Sequence, residues 1–502
     1  MPFNSLFSWF ITKRMHQIDL FMKHPHEVQD ELFQYLIEEA GSTRFGFEHN
    51  FQKIQQLSDF KKAVPIRTYE TFRPYIDRLK EGEQQVTWPT KVKWFAKSSG
   101  TTDDKSKYIP VTQEALEDCH YKGGKDMLAM YYYQFPEASL FNGKSLVVGG
   151  SSAISTFNNG SLTGDLSAII INNLPSWVEL KRTPSKEIAL MNNWEEKLEA
   201  MARATMNEDV TNIAGVPSWT LLLLKRICEL KGVQNIEEVW PHLELYMHGG
   251  ISFLPYRNAF LEICSPRMNF METYNASEGF FGIQDNALSD DMLLMLDYGI
   301  FYEFIPMEEW DHENPQTLTL QEVEVNQPYA VVISTNGGLW RYNIGDTVRF
   351  TSLSPYRIKI TGRTKQFINI AGEELMVENA EIALNKTCSE LQSEVREFTV
   401  CPIKSNHASG FYHHWMIEFK TAPADLSKFE KTLDDQIRQM NSDYDAKRAG
   451  NMNLQPLQIE VVPEQTFLNW MKHRGKLGGQ NKVPRLHSND LYVRQIHEFI
   501  HA

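Results

Sequence analysis

Cysteine is scarce in this sequence and shows no pairing pattern. The five cysteines lie far apart along 502 residues, and no two of them form a C-x-x-C pair. Disulfide frameworks and zinc ribbons need closely and regularly spaced cysteines, so both are excluded. The scattered set predicts reduced thiols in the cytoplasm. These residues are Cys119, Cys228, Cys264, Cys388 and Cys401.

The sequence also lacks a basic excess and any long apolar run. Lysine and arginine number 50 against 64 acidic residues, giving a net charge of −14. Duplex binding needs a basic face that neutralises phosphates, so nucleic acid is excluded as a partner. No segment reaches the roughly 20 apolar residues of a membrane helix, so no membrane span is predicted. The short apolar run at 6–11 has no leading basic region or small-residue cleavage site, and it predicts a docked helix rather than a signal peptide.

What is present is ample material for a folded protein of at least two domains. Hydrophobic residues make up 42% of the chain, and 502 residues exceed one ordinary domain. Strands alternate with helices from about residue 90 to 360, which predicts α/β layering. Beyond about residue 364 the pattern becomes that of a small α+β unit. We therefore expect a large N-terminal domain, 1–364, and a smaller C-terminal domain, 365–502. The main predicted strands are 145–148, 243–247, 292–296, 329–334 and 357–361.

A hydroxyl-rich loop is the first feature that indicates chemistry. Ser98, Ser99, Gly100, Thr101 and Thr102 follow a short predicted strand, with Lys107 close behind. Hydroxyls, backbone N–H groups and an ammonium together suit a polyphosphate. The spacing is not that of the usual P-loop. Taken alone, the cluster is a weak signal, and an ordinary turn is the favoured alternative.

A second feature is the segment Tyr274-Asn275-Ala276-Ser277-Glu278-Gly279, which follows a predicted strand at 268–272. The tyrosine ring can stack on a base, the serine hydroxyl can reach a phosphate, and the glutamate can bind Mg²⁺. The alternative is a turn at the end of a strand with a solvated glutamate.

Three later elements complete the set. Asp346, in Arg341–Asp346, can accept hydrogen bonds from ribose hydroxyls, although Gly345-Asp346 is also typical of a plain turn. Arg363 stands where the architecture changes and can hold ribose or phosphate; the alternative is an exposed linker. Lys482 follows two glycines that allow movement, yet most lysines are simply solvated surface residues.

In this order, the elements resemble the acyl-adenylate-forming superfamily and, more closely, the auxin-responsive Gretchen Hagen family of acyl acid amido synthetases. The family's S-S-G-T-T loop with K-x-I-P matches Ser98–Thr102 and Lys107–Pro110. Its Y-x-x-S-E-G element matches Tyr274–Gly279, and its R-Y-x-x-G-D element matches Arg341–Asp346. A late N-Q-x-K-x-P-R-like segment is approximated by Gly479–Arg485. The resemblance spans nearly the whole chain.

The resemblance implies a fold and a role for each residue. It implies an α/β protein with a large layered N-terminal domain of adenylate-forming type and a smaller, mobile α+β C-terminal domain. Glu278 would hold Mg²⁺, and Lys482 would stabilise charge as pyrophosphate leaves. The residues implied to contact ATP are Ser98, Ser99, Gly100, Thr101, Thr102, Lys107, Gly250, Tyr274, Asn275, Ala276, Ser277, Gly279, Asp346 and Arg363.

The implied reaction has two steps, with ATP and Mg²⁺ as cofactors. A carboxylic acid becomes an acyl-AMP with release of pyrophosphate, and an amine, expected to be an amino acid, then takes the acyl group. An acyl-CoA ligase would share the first step but needs a basic surface for CoA, and the C-terminal part shows no clear basic run. A non-catalytic nucleotide-binding protein that keeps the fold is the third alternative.

Overall fold

The computed structural model describes most of the chain, and the residues divide into two compact units. Among the described residues, the first unit comprises 13–344 and Arg349–Lys359, and the second comprises Gly345–Val348, 360–476 and 482–501. The described residues are 13–98, 107–149, 154–191, 193–310, 312, 314–364, 367–368, 373, 375–404, 411–448, 454–476, 482–487 and 489–501.

Strands and helices alternate through the first unit and are grouped more locally in the second. The strands are β1 (Trp94–Ser98), β2 (Lys107–Val111), β3 (Lys144–Val148), β4 (Ser155–Thr156), β5 (Leu162–Gly164), β6 (Arg182–Thr183), β7 (Val210–Gly215), β8 (Leu245–Gly249), β9 (Asn269–Ala276), β10 (Gly279–Ile283), β11 (Met292–Leu294), β12 (Ile300–Pro306), β13 (Pro328–Thr335), β14 (Tyr342–Leu353), β15 (Tyr356–Arg363), β16 (Phe367–Ile368), β17 (Leu375–Met376), β18 (Glu394–Lys404), β19 (Phe411–Thr421) and β20 (Gln458–Val461).

The described α-helices range from single turns to four turns or more. They are α1 (Met15–Lys23), α2 (Pro25–Ala40), α3 (Arg44–Glu48), α4 (Leu57–Ala63), α5 (Tyr69–Glu81), α6 (Lys122–Gln134), α7 (Leu166–Asn172), α8 (Ser176–Glu179), α9 (Lys186–Ala189), α10 (Trp194–Thr205), α11 (Pro217–Lys231), α12 (Arg257–Ile263), α13 (Val377–Glu390), α14 (Leu426–Met440), α15 (Ser442–Arg448), α16 (Thr466–His473) and α17 (Leu491–His501). Within the described ranges, none of them is both long and apolar enough to cross a membrane. The apolar run at 6–11 lies outside the described residues.

An eleven-stranded mixed sheet organises the first unit. Its strand order is β12-β13-β14-β15-β11-β10-β9-β8-β7-β3-β6. The five strands β6, β3, β7, β8 and β9 pair in parallel, whereas β9, β10, β11 and β15 pair antiparallel. Within the parallel part, β7 and β8 are buried at four successive residues each, so both of their faces are covered there, as βαβ connections require. This arrangement confirms the predicted α/β layering.

A smaller sheet in the same unit carries the strand before the hydroxyl-rich loop. Its order is β2-β1-β5-β4, with β1 antiparallel to β2 and parallel to β5. A hydrogen bond joins the residue after β2 to the large sheet: the Thr112 hydroxyl donates to the carbonyl of Asn336, which follows β13, at 2.8 Å. The same hydroxyl accepts from the Ala115 N–H, where a π-helical segment begins (Ala115–Tyr121).

The second unit is a small α+β structure, as predicted. Its three-stranded sheet, in the order β18-β19-β20, has helices on both faces, and β16 and β17 form a separate pair. One face packs Phe398 and Trp415 against Phe429 and Leu433 of α14. The opposite face packs against α16 and α17 through a second cluster, which includes Cys401, Met416, Trp470, Val493 and Ile496. Two apolar faces account for the two helical layers.

One buried ion pair fixes the start of β14 in the first unit. The Arg341 guanidinium donates to both carboxylate oxygens of Glu303 at 2.9 Å, and the two side chains are 6% and 1% exposed. Its remaining N–H groups donate to Thr317 and to the carbonyls of Lys61 and Val64. All five N–H groups are therefore satisfied, the condition under which a buried arginine is tolerated.

Replacing Glu303 by glutamine should destabilise the first unit strongly. The substitution leaves the Arg341 charge buried and uncompensated, which costs about 3–5 kcal/mol. The measurement is urea unfolding followed by tryptophan fluorescence. Asp77→Asn is the matched control, because its pairs with Arg73 and Lys80 lie at the surface, where each is worth about 0.3–0.5 kcal/mol. Equal unfolding midpoints for the two variants would contradict the structural role given to Glu303.

Candidate active site

The predicted Tyr274–Gly279 element forms the tip of a β-hairpin rather than a turn that leaves a strand. β9 runs on through Tyr274 to Ala276, and Ala276 pairs with Gly279 of β10, so Ser277 and Glu278 form a two-residue loop. The expectation that the strand ends at 272 is thus wrong by four residues. Ser277 is buried and Glu278 is half-buried. Tyr274 is 5% exposed, and its ring lies 4.8 Å from that of Phe281.

The helical segment that follows β2 packs beneath this hairpin. The His120 imidazole lies with Nδ1 3.1 Å from Asn275 Oδ1, and the Phe280 N–H donates to Cys119 Sγ at 3.1 Å. Desolvation lowers the pKa of His120 to about 4, and the hydrogen bond to Asn275 opposes this shift only in part. The ring is therefore neutral near pH 7 and donates its Nδ1 proton to the amide oxygen. Asn275 is held by this contact.

The exit of β8 lies at the same edge of the sheet as the hairpin. Gly249 pairs in parallel with Thr273 of β9, and Gly250 follows with a φ of 79°. A Cβ on Gly249 would stand 2.3 Å from the Thr273 carbonyl oxygen, so only glycine allows the two backbones to approach this closely. Gly250 and the Tyr274–Gly279 hairpin are thus neighbours at the carboxyl edge, where open α/β sheets bind ligands.

The hydroxyl-rich loop connects the two strands that bear Ser98 and Lys107. Ser98 ends β1 and pairs with Lys107 at the start of β2. The Lys107 ammonium lies 5.6 Å from the centre of the Tyr69 ring. Ser99, Gly100, Thr101 and Thr102 lie outside the described residues, as does the side chain of Ser98.

In the second unit, the structure brings Asp346 and Arg363 together. Arg363 Nε lies 2.8 Å from Asp346 Oδ1, and the two residues come from adjacent strands, β14 and β15. The alternative for Gly345-Asp346, a plain turn, is wrong: the pair lies inside β14, where Gly345 has a φ of 86°. The Thr364 N–H donates to the Gly345 carbonyl at 2.8 Å and closes this corner. Arg363 is therefore part of a strand rather than of an exposed linker.

Lys482 stands in the same unit within reach of both charges. Desolvation lowers the pKa of Lys482 to about 8, the Arg363 charge acts in the same direction, and Asp346 opposes it. The residue is nevertheless exposed to solvent. A ligand at this place would contact two cationic side chains, Arg363 and Lys482, and the carboxylate of Asp346. Both cations suit phosphate oxygens.

One buried lysine on α10, Lys197, was not predicted from the sequence. Lys197 is fully buried and donates to the carbonyls of Gly149 at 3.2 Å and Ala189 at 2.7 Å. Desolvation lowers its pKa to about 8, and the Asp165 charge opposes the shift. It holds the chain where β3 ends. The sequence feature that indicates its burial is its position three residues after Trp194, on the inner face of an amphipathic helix.

Solved structures share this architecture over nearly the whole chain. The GH3.15 acyl acid amido synthetase superposes with a TM-score of 0.79 at 17% identity, covering 97% of this chain and 96% of that one. A 2-hydroxyisobutyryl-CoA ligase in its postadenylation state gives a TM-score of 0.57 at 12% identity, covering 94% and 91%. The predicted fold class, a layered domain of adenylate-forming type with a smaller α+β unit, is thereby confirmed.

Sequence comparison finds relatives of similar length. An indole-3-acetic acid-amido synthetase, GH3.3 of Arabidopsis thaliana, is 22% identical over 94% of this chain and 91% of its own. A jasmonoyl-L-amino acid synthetase, JAR4 of Nicotiana attenuata, is 23% identical over 94% and 92%. The models of the GH3 family N-terminal, central and C-terminal domains match residues 14–267, 293–363 and 378–490. The resemblance inferred from the motifs is therefore confirmed, and the chain belongs to the GH3 family.

Proposed function

We propose that this chain is an ATP-dependent acyl acid amido synthetase that forms an acyl-AMP and passes the acyl group to an amino acid. The observation that carries the proposal is the carboxyl edge of the large sheet, where Gly250 and the hairpin bearing Ser277 and Glu278 are neighbours. The names of the relatives, amido synthetases of indole-3-acetic and jasmonic acids, support the same reaction type.

The residues at this edge fit a nucleotide with its metal. Glu278 offers carboxylate oxygens, the hard ligands that Mg²⁺ prefers, and phosphate oxygens and water complete such a site. Ser277 offers a hydroxyl to the α-phosphate, and Tyr274 with Asn275, Ala276, Gly279 and Gly250 would border the adenine. Mg²⁺, when bound with ATP, neutralises part of the phosphate charge.

The remaining roles follow the family pattern. Ser98, Ser99, Gly100, Thr101, Thr102 and Lys107 would hold the phosphates, and Asp346 would accept hydrogen bonds from the ribose hydroxyls. Arg363, paired with Asp346 in the second unit, would orient that carboxylate toward the ribose. We assign ATP and acid binding to 1–364, and we assign the mobile Lys482 to 365–502.

The chemistry that these residues serve has two balanced steps. A carboxylate oxygen of the acid attacks the α-phosphorus, the bond to the β-phosphate oxygen breaks, and pyrophosphate leaves. The amine nitrogen then attacks the acyl carbonyl, loses a proton, and AMP departs. Lys482 and the loop donors would face the charge that builds up on the phosphates, which is the largest contribution that a preorganised site makes.

The compartment is part of the proposal. All five cysteines are free and buried in the described structure. Buried thiols that form no disulfide suit a reducing environment, and this supports the cytoplasm.

The reaction type is tested by a pyrophosphate-release screen over carboxylic acids, each run alone, with amino acids, and with CoA. We expect pyrophosphate with the cognate acid, and AMP with an amide product only when an amino acid is added. A thioester would instead establish an acyl-CoA ligase, the activity of the second structural match. Release of ADP, or nucleotide binding without turnover, would overturn the proposal.

Lys482→Ala should slow adenylation by on the order of 10²–10³, because it removes one charge that stabilises the transition state. ATP–pyrophosphate exchange measures this step, and equilibrium binding of ATP should stay largely unchanged. Lys472→Ala is the matched control, since Lys472 is an exposed lysine of the same unit on α16. Exchange at the wild-type rate in Lys482→Ala would refute the role.

Glu278→Gln should shift the Mg²⁺ concentration that gives half-maximal adenylation upward, because an amide is a weaker ligand than a carboxylate. The measurement is a Mg²⁺ titration of the exchange rate at fixed ATP. Glu262→Gln on α12, an exposed site, serves as control. Identical titration curves for Glu278→Gln and the wild type would count against a metal ligand at this position.

A further inference from the structure

Three metal-ligating side chains converge on one face of the three-stranded sheet in the second unit. His414 Nε2 lies 3.0 Å from Glu460 Oε2, and His497 Nε2 lies 2.9 and 2.7 Å from the two Glu460 oxygens. One ligand atom from each of the three residues falls within 4.8 Å of the others. None of these residues belongs to the ATP-binding elements.

The positions of the three side chains follow from the sheet register and the helix above it. On β19 and β20, which are parallel, His414 pairs with Gln458 and Met416 pairs with Glu460. Residues two apart share a face, so His414 and Glu460 lie on the same side of the sheet. That side also carries Met416 and is covered by α17, where His497 follows the buried Ile496.

The cluster is accessible but not freely solvated. The side chains of His414, Glu460 and His497 are 13%, 33% and 38% exposed. Nδ1 of His414 is buried and has no hydrogen-bond partner in the described structure. Without a metal, the Glu460 carboxylate accepts the Nε2 proton of His414; a metal bound at Nε2 replaces that proton and requires the tautomer with the proton on Nδ1.

We propose that His414, Glu460 and His497 form a binding site for Zn²⁺ or a similar divalent transition metal, which fastens α17 to the sheet. Two imidazole nitrogens and one carboxylate are a common zinc ligand set, whereas Mg²⁺ and Ca²⁺ select oxygen ligands. Zinc–ligand bonds of about 2.0–2.2 Å at tetrahedral angles place ligand atoms roughly 3.4 Å apart. The Nε2–oxygen distances need to open by only about half an ångström, and water supplies the fourth ligand.

The structure also indicates how tightly this site binds its metal. Metal-bound histidines normally donate their second N–H to a supporting acceptor, and loss of that support costs about 10–100-fold in affinity. His414 has none among the described residues. We therefore expect a site that exchanges its metal and is emptied by chelators, rather than one that needs metal to fold.

The test uses the full-length, tag-free protein after EDTA treatment and desalting. Isothermal titration with ZnCl₂ should show one equivalent bound, and the thermal unfolding midpoint should rise with added Zn²⁺. Co²⁺ should give the intense visible bands of a tetrahedral site. Glu460→Gln and His497→Gln should each lower Zn²⁺ affinity by more than about 100-fold, since a direct ligand outweighs a supporting one.

His501→Gln is the matched control, because His501 is an exposed histidine on the same helix that contacts only the edge of the cluster. It should bind Zn²⁺ like the wild type. His497 is the most exposed ligand, so its variant should fold, and circular dichroism verifies this. The proposal is overturned if the wild type binds no Zn²⁺, if His497→Gln binds it equally well, or if His501→Gln loses as much affinity.

Discussion

The first unit depends on one buried ion pair. Glu303 lies on β12 and Arg341 directly precedes β14, two strands separated by β13, and Arg341 also donates to the carbonyls of Lys61 and Val64. A buried guanidinium is tolerated only with full hydrogen bonding, so all these segments must be in place together. Arg341 has a positive φ of 41°, a backbone conformation that costs about 1–3 kcal/mol. It persists because the side-chain hydrogen bonds of Arg341 hold the backbone in place. The pair therefore fixes where β14 begins.

Close backbone approach sets the geometry of the candidate site. Gly249 must lack a side chain because the Thr273 carbonyl occupies the space that a Cβ would need. Gly123 meets the Phe280 ring in the same way, at 2.5 Å from an ideal Cβ. These contacts hold the hairpin between β8 and the helical segment after β2. The His120–Asn275 contact then fixes the hairpin from below without introducing charge.

The second unit separates two chemistries on one small scaffold. Asp346, Arg363 and Lys482 group charged side chains suited to phosphate and ribose. The His414–Glu460–His497 cluster lies on the sheet face covered by α17 and groups ligands suited to a divalent transition metal. Helices cover both faces of the β18-β19-β20 sheet, and the alternation of side chains along β19 and β20 places His414 and Glu460 on the face that α17 covers.

Local pattern was enough to identify much of this protein from its sequence. Strand and helix alternation determined the α/β class, and motif order determined the family, because turn chemistry and ligand-binding residue types are written in short stretches. Local sequence pattern did not determine which residues far apart along the chain pair with one another. Nothing local shows that Gly345-Asp346 continues a strand or that Arg341 meets Glu303 38 positions away. Those outcomes were decided by the tertiary structure, because the free energy of burying a charge depends on partners that only the folded chain brings within hydrogen-bonding distance.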